Sequence, residues 1–390
     1  MTRTLRIALV AGEPSGDLLA ASLLEALARR WPQARFEGIG GPRMTQAGFE
    51  ALWPMTALSV HGFADALRHY RSIKRIRDQL AARLVADPPD LFIGVDAPDF
   101  NLGLERQLKR RGIRTVHFVS PSIWAWRGGR LRSMPGAVDL MLCLFPFEPA
   151  LYEHAGIVSS YVGHPLADRI PAHPDAAAAR RRLGLAPTRP WLAVLPGSRE
   201  GEVRRIGPTF AQAIARLKRD DPSLGIVIPA ATPALRTQIE AILAEAGLEP
   251  PTVTVFDGHS HDIIEASDVV LVASGTATLE CALYKKPMVI AYKVGSFNYK
   301  LMKRMAYLPW IGLPNILLRE TVVPEFVQHA ATPEALAGAV RHWFDDGQAR
   351  AAIELRFEGL RRSLAQGMAH KAIAAIEHRW PELAAVEAAA

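Results

Sequence analysis

Asp96, Arg199, Glu280 and the run Ser274-Gly275-Thr276 each follow a short apolar stretch, and they carry most of the chemistry this sequence offers. Asp268 to Ala273 reads as a buried strand, because β-branched and apolar residues run on without alternation. Ser274, Gly275, Thr276 and Thr278 follow at once, and small residues let a ligand approach the backbone. Thr276 to Leu283 has helical spacing, stopped by Lys285-Lys286-Pro287, and Met288 to Ala291 is the next strand. A strand, small-residue loop, helix and strand in that order put free N–H groups at the carboxyl edge of a parallel sheet, a seat for phosphate. Glu280 lies one turn into the helix. Its carboxylate either accepts from sugar hydroxyls or complements the helix dipole in solvent. Arg199, in the exit loop of an earlier strand, supplies a fixed guanidinium for the same anion.

Those side chains need elements to position them, and the sequence supplies two βα series. Leu5 to Val10 is the first strand, followed by Gly12-Glu13-Pro14-Ser15-Gly16-Asp17, a glycine-flanked loop facing a ligand, and a helix to about Arg30. Gly38-Ile39-Gly40-Gly41 reads as a turn at the end of the second strand. From Ala66 to Leu84, Leu67, Tyr70, Ile73, Ile76, Leu80 and Leu84 recur at helical spacing, with Arg68, Arg71, Lys74, Arg75 and Arg77 on the other faces. Such a helix either covers the sheet or touches an anionic membrane. Asp90 to Val95 is a strand ending at Asp96, a carboxylate at a strand's carboxyl end and so in the ligand crevice. Asp99 and Asn101, just beyond, suit helix capping. Ser120-Pro121-Ser122-Ile123-Trp124-Ala125-Trp126-Arg127 follows the strand Ile113 to Val119 and is either a pocket wall or loop packing.

Pro171 to Thr188, rich in Ala, Arg and Pro, reads as a linker. Strands at 191–195, 224–228, 252–256, 268–273 and 288–291 form a second series, and the tail from Pro333 is helical. The fold class is α/β, with two Rossmann-like domains facing a central cleft: 1–168, and 169–390 with its C-terminal helix packing back on the first.

The totals exclude several classes. With 390 residues, 49% hydrophobic and 22% charged, the chain has core material for two soluble domains. A net charge of +7 suggests an anionic partner, but the cations are dispersed and no nucleic-acid motif is present. Cys143 and Cys281, both in apolar runs, indicate a reduced cytoplasm without disulfides. No stretch approaches the ~18 apolar residues of a membrane span. GxGxxG, GxxxxGK[ST], DxD and HExxH are all absent, so dinucleotide, P-loop and metal-dependent readings fail, and no metal or other cofactor is expected.

Taken in order, VAGEPSGD (Val10 to Asp17), GGPRM (Gly40 to Met44), GVDAPDFN (Gly94 to Asn101), SPSIWAWR (Ser120 to Arg127), LPGSR (Leu195 to Arg199), SGTATLEC (Ser274 to Cys281) and LPN (Leu313 to Asn315) resemble the lipid-A-disaccharide synthase family of inverting GT-B glycosyltransferases. The resemblance implies transfer from UDP-2,3-diacylglucosamine to 2,3-diacylglucosamine 1-phosphate (lipid X), giving UDP and a β-1,6-linked disaccharide phosphate. It further implies Asp96 as base, Arg199, Glu280 and Asn315 around the nucleotide-sugar, and Glu13 and Ser15 near the reacting sugar. Ser274, Gly275 and Thr276 complete the donor site. A cytoplasmic enzyme, peripheral on the inner face of the inner membrane, fits those lipids, and a homodimer is compatible with the resemblance. The chemistry agrees with the residues: attack by a 6-hydroxyl needs a carboxylate base and a held diphosphate, and no protein nucleophile is evident. Two rivals are a UDP-GlcNAc 2-epimerase, which would accept UDP-GlcNAc alone, and a lipid carrier, which would release no UDP.

Because the diphosphate is expected on Arg199 and backbone amides, chelation should leave turnover intact. Loss of UDP release in EDTA, with recovery on adding magnesium, would overturn that account of the leaving group.

Overall fold

A computed structural model describes residues 4–58, 63–125, 128–248, 250–295 and 307–385, without the side chains of residues 63–70. The chain forms two compact units, Met1–Asp168 with Leu364–Ala390, and Arg169–Ser363.

In the first unit, β1 (Arg6–Ala11), β2 (Arg35–Gly40), β3 (Glu50–Pro54), β4 (Leu91–Val95), β5 (Thr115–Phe118), β6 (Leu140–Cys143) and β7 (Ser159–Tyr161) make one parallel sheet in the order β3-β2-β1-β4-β5-β6-β7. β1 and β4 lie at its centre and are buried on both faces, so they read as continuous apolar runs. Gly38 and Gly40 belong to β2 itself rather than to a turn beyond it. The helix Phe63–Ala86 covers this sheet with its second half: Leu80, Ala81 and Leu84 are buried, and Ile73 and Ile76 pack against the same core as Val10, Ile39 and Phe92. The apolar stripe from Ile73 onward is therefore used in the core, while Arg71, Lys74 and Arg75 remain exposed.

In the second unit, β8 (Trp191–Leu195), β9 (Gly225–Ala230), β10 (Thr254–Asp257), β11 (Val269–Ala273), β12 (Met288–Tyr292) and β13 (Glu325–Val327) repeat the arrangement in the order β10-β9-β8-β11-β12-β13, again parallel. The stretch expected as a linker is folded into this unit. Ala176–Arg182 is helical, and Arg180 Nη2 donates to both carboxylate oxygens of Asp268, at 2.8 and 2.9 Å, while its Nε donates to Ala266 O at 2.9 Å. The helix Met368–Arg379 returns to the first unit, where Asp168 accepts from the Gly367 and Met368 amides at 2.9 and 2.7 Å and Arg30 pairs with Glu377 at 2.7 Å.

In each sheet the strand order reverses beside its first strand, between β1 and β4 and between β8 and β11. The loops leaving those strands diverge to opposite faces, which opens a crevice at the carboxyl edge of the sheet. All the candidate residues except Asn315 lie in these four exit segments or in the first turn of the helices that follow. Among the described residues no helix is long and apolar enough to cross a membrane.

Candidate active site

At the crevice of the first unit, β4 ends in a turn that few residues adopt. Asp96 and Ala97 are consecutive non-glycine residues in the left-handed region, at φ 50° and 42°. Each costs on the order of 1–3 kcal/mol and persists only where the surroundings hold it. Asn101 does much of the holding. Its Nδ2 donates to the carbonyls of Asp96 at 2.8 Å and of Val10 and Val95 at 3.3 Å, so one buried amide spans the ends of β1 and β4. The Asp96 amide donates to Phe118 O at 2.9 Å, which ties the turn to β5. Capping was the expected role for Asn101 and Asp99, and the structure corrects both. The N-cap of the helix Pro98–Lys109 is Ala97, with no side-chain cap, because the left-handed turn occupies that place. Asp99 is exposed and pairs with Arg130.

Burial pushes the Asp96 carboxyl above the ordinary range; His117 and Arg130 pull it down, and Glu13 across the crevice pushes it further up. Glu13 and Ser15 are exposed at the start of the helix Pro14–Arg30, on the far side of the same switch point. A Cβ on Gly12 would lie 3.4 Å from Ala97 Cβ, so the loops from β1 and β4 run side by side. Asp17, next along, turns away: it is buried and accepts from the Gly41, Arg43 and Met44 amides at 2.9, 3.0 and 3.2 Å.

The tryptophan loop is loop packing where it is described. Trp124 Nε1 donates to buried Glu148 at 3.1 Å, and its ring meets Phe145 and Phe147 edge-on. Burial pushes Glu148 up to about 7. Trp126 and Arg127 lie outside the described residues.

In the second unit, Arg199 is the exposed N-cap of the helix Glu200–Asp220. Glu202 on the first turn steadies it: Oε1 meets the guanidinium at 3.1 Å, and Oε2 accepts from the Ser198 amide at 3.3 Å. Across the switch point Gly275 and Thr276 are exposed, and a Cβ on Gly275 would meet open space. The following helix, Ala277–Leu283, is only seven residues long, so the exposed loop amides matter more than its dipole. Ser274 is turned inward and donates to Ile311 O at 2.9 Å, a bond that positions the loop. Glu280 is not the solvated dipole partner of the plainer reading. Desolvation pushes its carboxyl up against the pull of His261, and the carboxylate has no hydrogen-bond or ion-pair partner among the described residues. When ionised, such a group can only accept hydrogen bonds.

The resemblance placed Asn315 against the nucleotide-sugar; in the structure it is fully buried and its amide is saturated by the protein. Nδ2 donates to Val323 O at 2.9 Å and Glu325 Oε1 at 2.8 Å, and Oδ1 accepts from the Val322 and Val323 amides at 2.8 and 3.0 Å. Glu325 in turn accepts from the Ile311 and Gly312 amides at 2.8 and 2.9 Å. Asn315 thus builds the wall beside Ser274 and Thr278. Sequence reading missed Glu325, Glu105 and His117, whose partners lie 10 or more residues away in the chain, and Glu202, whose partners Arg199 and Ser198 are local. Cys143 and Cys281 are buried free thiols pushed upward by desolvation, which makes them inert.

The sequence profile of the lipid-A-disaccharide synthetase family matches residues 7–376. A lipid-A-disaccharide synthase of Aromatoleum aromaticum is 54% identical over 371 residues, 95% of each chain. Among solved structures, the glycotransferase of kitacinnamycin superposes with a TM-score of 0.65 at 17% identity, covering 97% of this chain and 99% of its own. A putative UDP-N-acetylglucosamine 2-epimerase from Listeria monocytogenes gives 0.67 at 12% identity, covering 97% of both. The fold is GT-B.

Two substitutions separate a wall residue from a ligand acceptor. Asn315→Ala should cost about 2–4 kcal/mol in chemical denaturation, because buried amides and carbonyls lose their partner. Glu280→Gln should do the opposite at neutral pH. A carboxyl with a raised folded pKa binds its proton more tightly in the native state, so its stability contribution falls as pH rises from the unfolded toward the folded value. The amide removes that loss, and its gain over wild type should vanish in acid. A Glu280→Gln chain less stable than wild type at neutral pH would show that the carboxylate has a partner after all.

Proposed function

The chain belongs to the lipid-A-disaccharide synthase family, and from that premise we propose that it transfers 2,3-diacylglucosamine from its UDP derivative to 2,3-diacylglucosamine 1-phosphate by an inverting displacement. Asp96 takes the proton of the acceptor 6-hydroxyl as that oxygen attacks the anomeric carbon. The bond from this carbon to the UDP oxygen breaks on the opposite side, and UDP leaves with the electron pair. Arg199 and the amides at Gly275 and Thr276 hold its diphosphate, Glu280 accepts from hydroxyls of the donor, and Glu13 and Ser15 border the sugar at the base. Ser274, Asn315 and Glu325 hold the donor loop in shape.

The carrying observation is the Asp96 turn: a strained, tethered strand end with a half-buried carboxyl raised by desolvation. A base works best when its pKa approaches the working pH, and the environment moves Asp96 in that direction. The epimerase reading shares the fold, but identity near 12% supports the fold alone, whereas 54% identity over 95% of the chain supports the synthase. Assaying UDP release with donor alone and with both lipids separates the two activities from a carrier.

The lipid substrates favour work at the inner face of the inner membrane. The cation clusters elsewhere are partly consumed: Arg180 and Arg182 pair with Asp268, Asp262 and Glu265, and Lys109 with Asp139. Arg71, Lys74 and Arg75 are exposed and carry no ion pair among the described residues. They are the cations we assign to the anionic surface. The sequence also offers Phe297, Tyr299, Leu301, Met302, Tyr307, Leu308 and Trp310 as an apolar partner for such a surface; Arg68 and the first four lie outside the described side chains, whereas Tyr307 is exposed and Leu308 and Trp310 are half-buried. Changing Arg71, Lys74 and Arg75 together to Ser should weaken binding to anionic vesicles by about 1 kcal/mol per cation at low salt. Unchanged co-sedimentation would leave the helix a sheet cover only.

Asp96→Asn keeps the shape of the turn and removes the base. Turnover should fall roughly 10²–10⁴-fold with UDP binding retained. Wild-type turnover in a folded Asp96→Asn chain would remove Asp96 from the mechanism.

A further inference from the structure

The crevice of the first unit is acidic. Asp96 leaves β4 there, Glu13 faces it from the loop after β1, and Asp99 stands exposed on the first turn of the helix Pro98–Lys109. An acceptor that bears a phosphate monoester brings about two further negative charges to the same place. Like charges at close range oppose its entry, so a cation is needed beside the base. Arg199, on the second unit, is committed to the diphosphate of the donor.

Arg130 stands where that cation is needed. Its Nη2 pairs with Asp99 Oδ1, and Asp99 is three residues beyond Asp96, so the two Cα atoms are at most about 11 Å apart. The segment that carries Arg130 is fastened to the same helix. Arg106 donates to Ser133 O at 2.8 Å, and Lys109 Nζ donates to Pro135 O at 3.0 Å and Val138 O at 2.9 Å. Ser133 Oγ in turn donates to the Arg130 carbonyl at 2.9 Å. The two members of the ion pair differ in exposure: the Arg130 side chain is 17% exposed and that of Asp99 80%. A pair with one well-hydrated member adds little stability, and it does not account for a guanidinium withdrawn from water. Burial dominates the Asp96 carboxyl, and Arg130 is among the charges that draw it down, so the guanidinium is felt at the base as well.

We propose, resting on the reading of Asp96 as base for the acceptor 6-hydroxyl, that Arg130 binds the phosphate of the acceptor and so selects a phosphorylated sugar. The 6-hydroxyl and the phosphate on C1 belong to one sugar ring. With the hydroxyl at Asp96, the phosphate lies one ring away, within reach of a side chain fixed beside Asp99. A guanidinium forks onto phosphate oxygens as it does onto a carboxylate, and the more highly charged phosphate is the stronger partner. The phosphate therefore takes Arg130 from Asp99. The released carboxylate is already exposed, so water satisfies it and the exchange leaves no buried charge behind. Before the acceptor enters, Asp99 holds the guanidinium in place.

The test gives the full chain its UDP-sugar donor with either of two acceptors, 2,3-diacylglucosamine 1-phosphate or the same diacylglucosamine without phosphate. The quantity read is the ratio of the two kcat/KM values for UDP release. Arg130→Gln removes the charge-assisted bonds to phosphate and should lower that ratio roughly 10- to 100-fold, chiefly through KM for the phosphorylated acceptor. Arg130→Lys keeps the charge without the fork and should fall between, which also decides the matter should the glutamine variant fail to fold. Asp99→Asn removes the competing carboxylate and should raise the ratio. A structural role alone would slow both acceptors alike, so an unchanged ratio in the folded Arg130 variants overturns this inference. An unchanged ratio with weaker binding to vesicles of anionic phospholipid would give Arg130 to a lipid headgroup and overturn it equally. A wild-type chain that releases no UDP with either acceptor overturns the reaction itself, and this inference with it.

Discussion

One buried amide, Asn101 Nδ2, holds the two central strands of the first unit at the place where the chain needs them apart and yet in register. It reaches the carbonyls of Val10, one residue before the end of β1, of Val95, the last of β4, and of Asp96. Two left-handed residues in succession would relax if that anchor were lost, because Asp tolerates the conformation only as a single residue and Ala does not favour it. Val119, at φ 80° and β-branched, marks similar strain at the end of the neighbouring strand. The Val119 amide donates to Leu142 O at 3.1 Å, so that residue is also tethered by backbone. Strain therefore gathers along the carboxyl edge of β4 and β5, and the sheet beneath supplies the rigidity that permits it.

The second unit meets a related need by different means. Its donor loop is not strained but braced. Ser274, Thr278, Asn315 and Glu325 link the loop after β11, the segment at 311–315 and β13 into one network of side chains on main chain. Neutral and charge-assisted bonds to backbone groups are directional, so they fix the loop without filling the space in front of Gly275. Arg199 is braced in the same manner by Glu202. The matching strand orders of the two sheets thus carry different side chains at their switch points: Asp96 on one, Arg199 and the Gly275–Thr276 loop on the other.

Much of this was legible in the sequence because it follows from local rules. Apolar runs ending in Gly, Ser or Asp gave the strands and their exit loops, and the switch points followed from two βα series. What was not legible depends on partners distant in the chain. Asn101 looked like a cap because Asn near a helix start often is one, yet its partners include a carbonyl 91 residues away. Asn315 was placed against the ligand by resemblance, while its saturation becomes visible only once 322–325 folds over it. The 171–188 segment read as a linker from composition, since nothing local shows that Arg180 will find Asp268. The mixed helix of residues 63–86 was ambiguous for a better reason: one stripe of apolar residues satisfies a sheet or a membrane equally until packing chooses.

The distribution of buried carboxyls gives these observations a common cause. Asp96, Glu105, Glu280 and Glu325 all lie at or behind the switch-point loops, and desolvation is the largest influence on each. A protein selected only for stability would replace them, since burying charge costs more than most pairings return. Their partners differ in an informative way. Glu325 is fully engaged with backbone amides and Asn315, and Glu105 is engaged on one oxygen by His117. Glu280 is engaged by no hydrogen bond among the described residues. Engagement by the protein is thus divided: complete for Glu325, on one oxygen only for Glu105, and absent for Glu280 among the described residues. A glycosyl transfer asks for this division, because the groups that meet substrate must be desolvated and held, yet not already bonded to the protein.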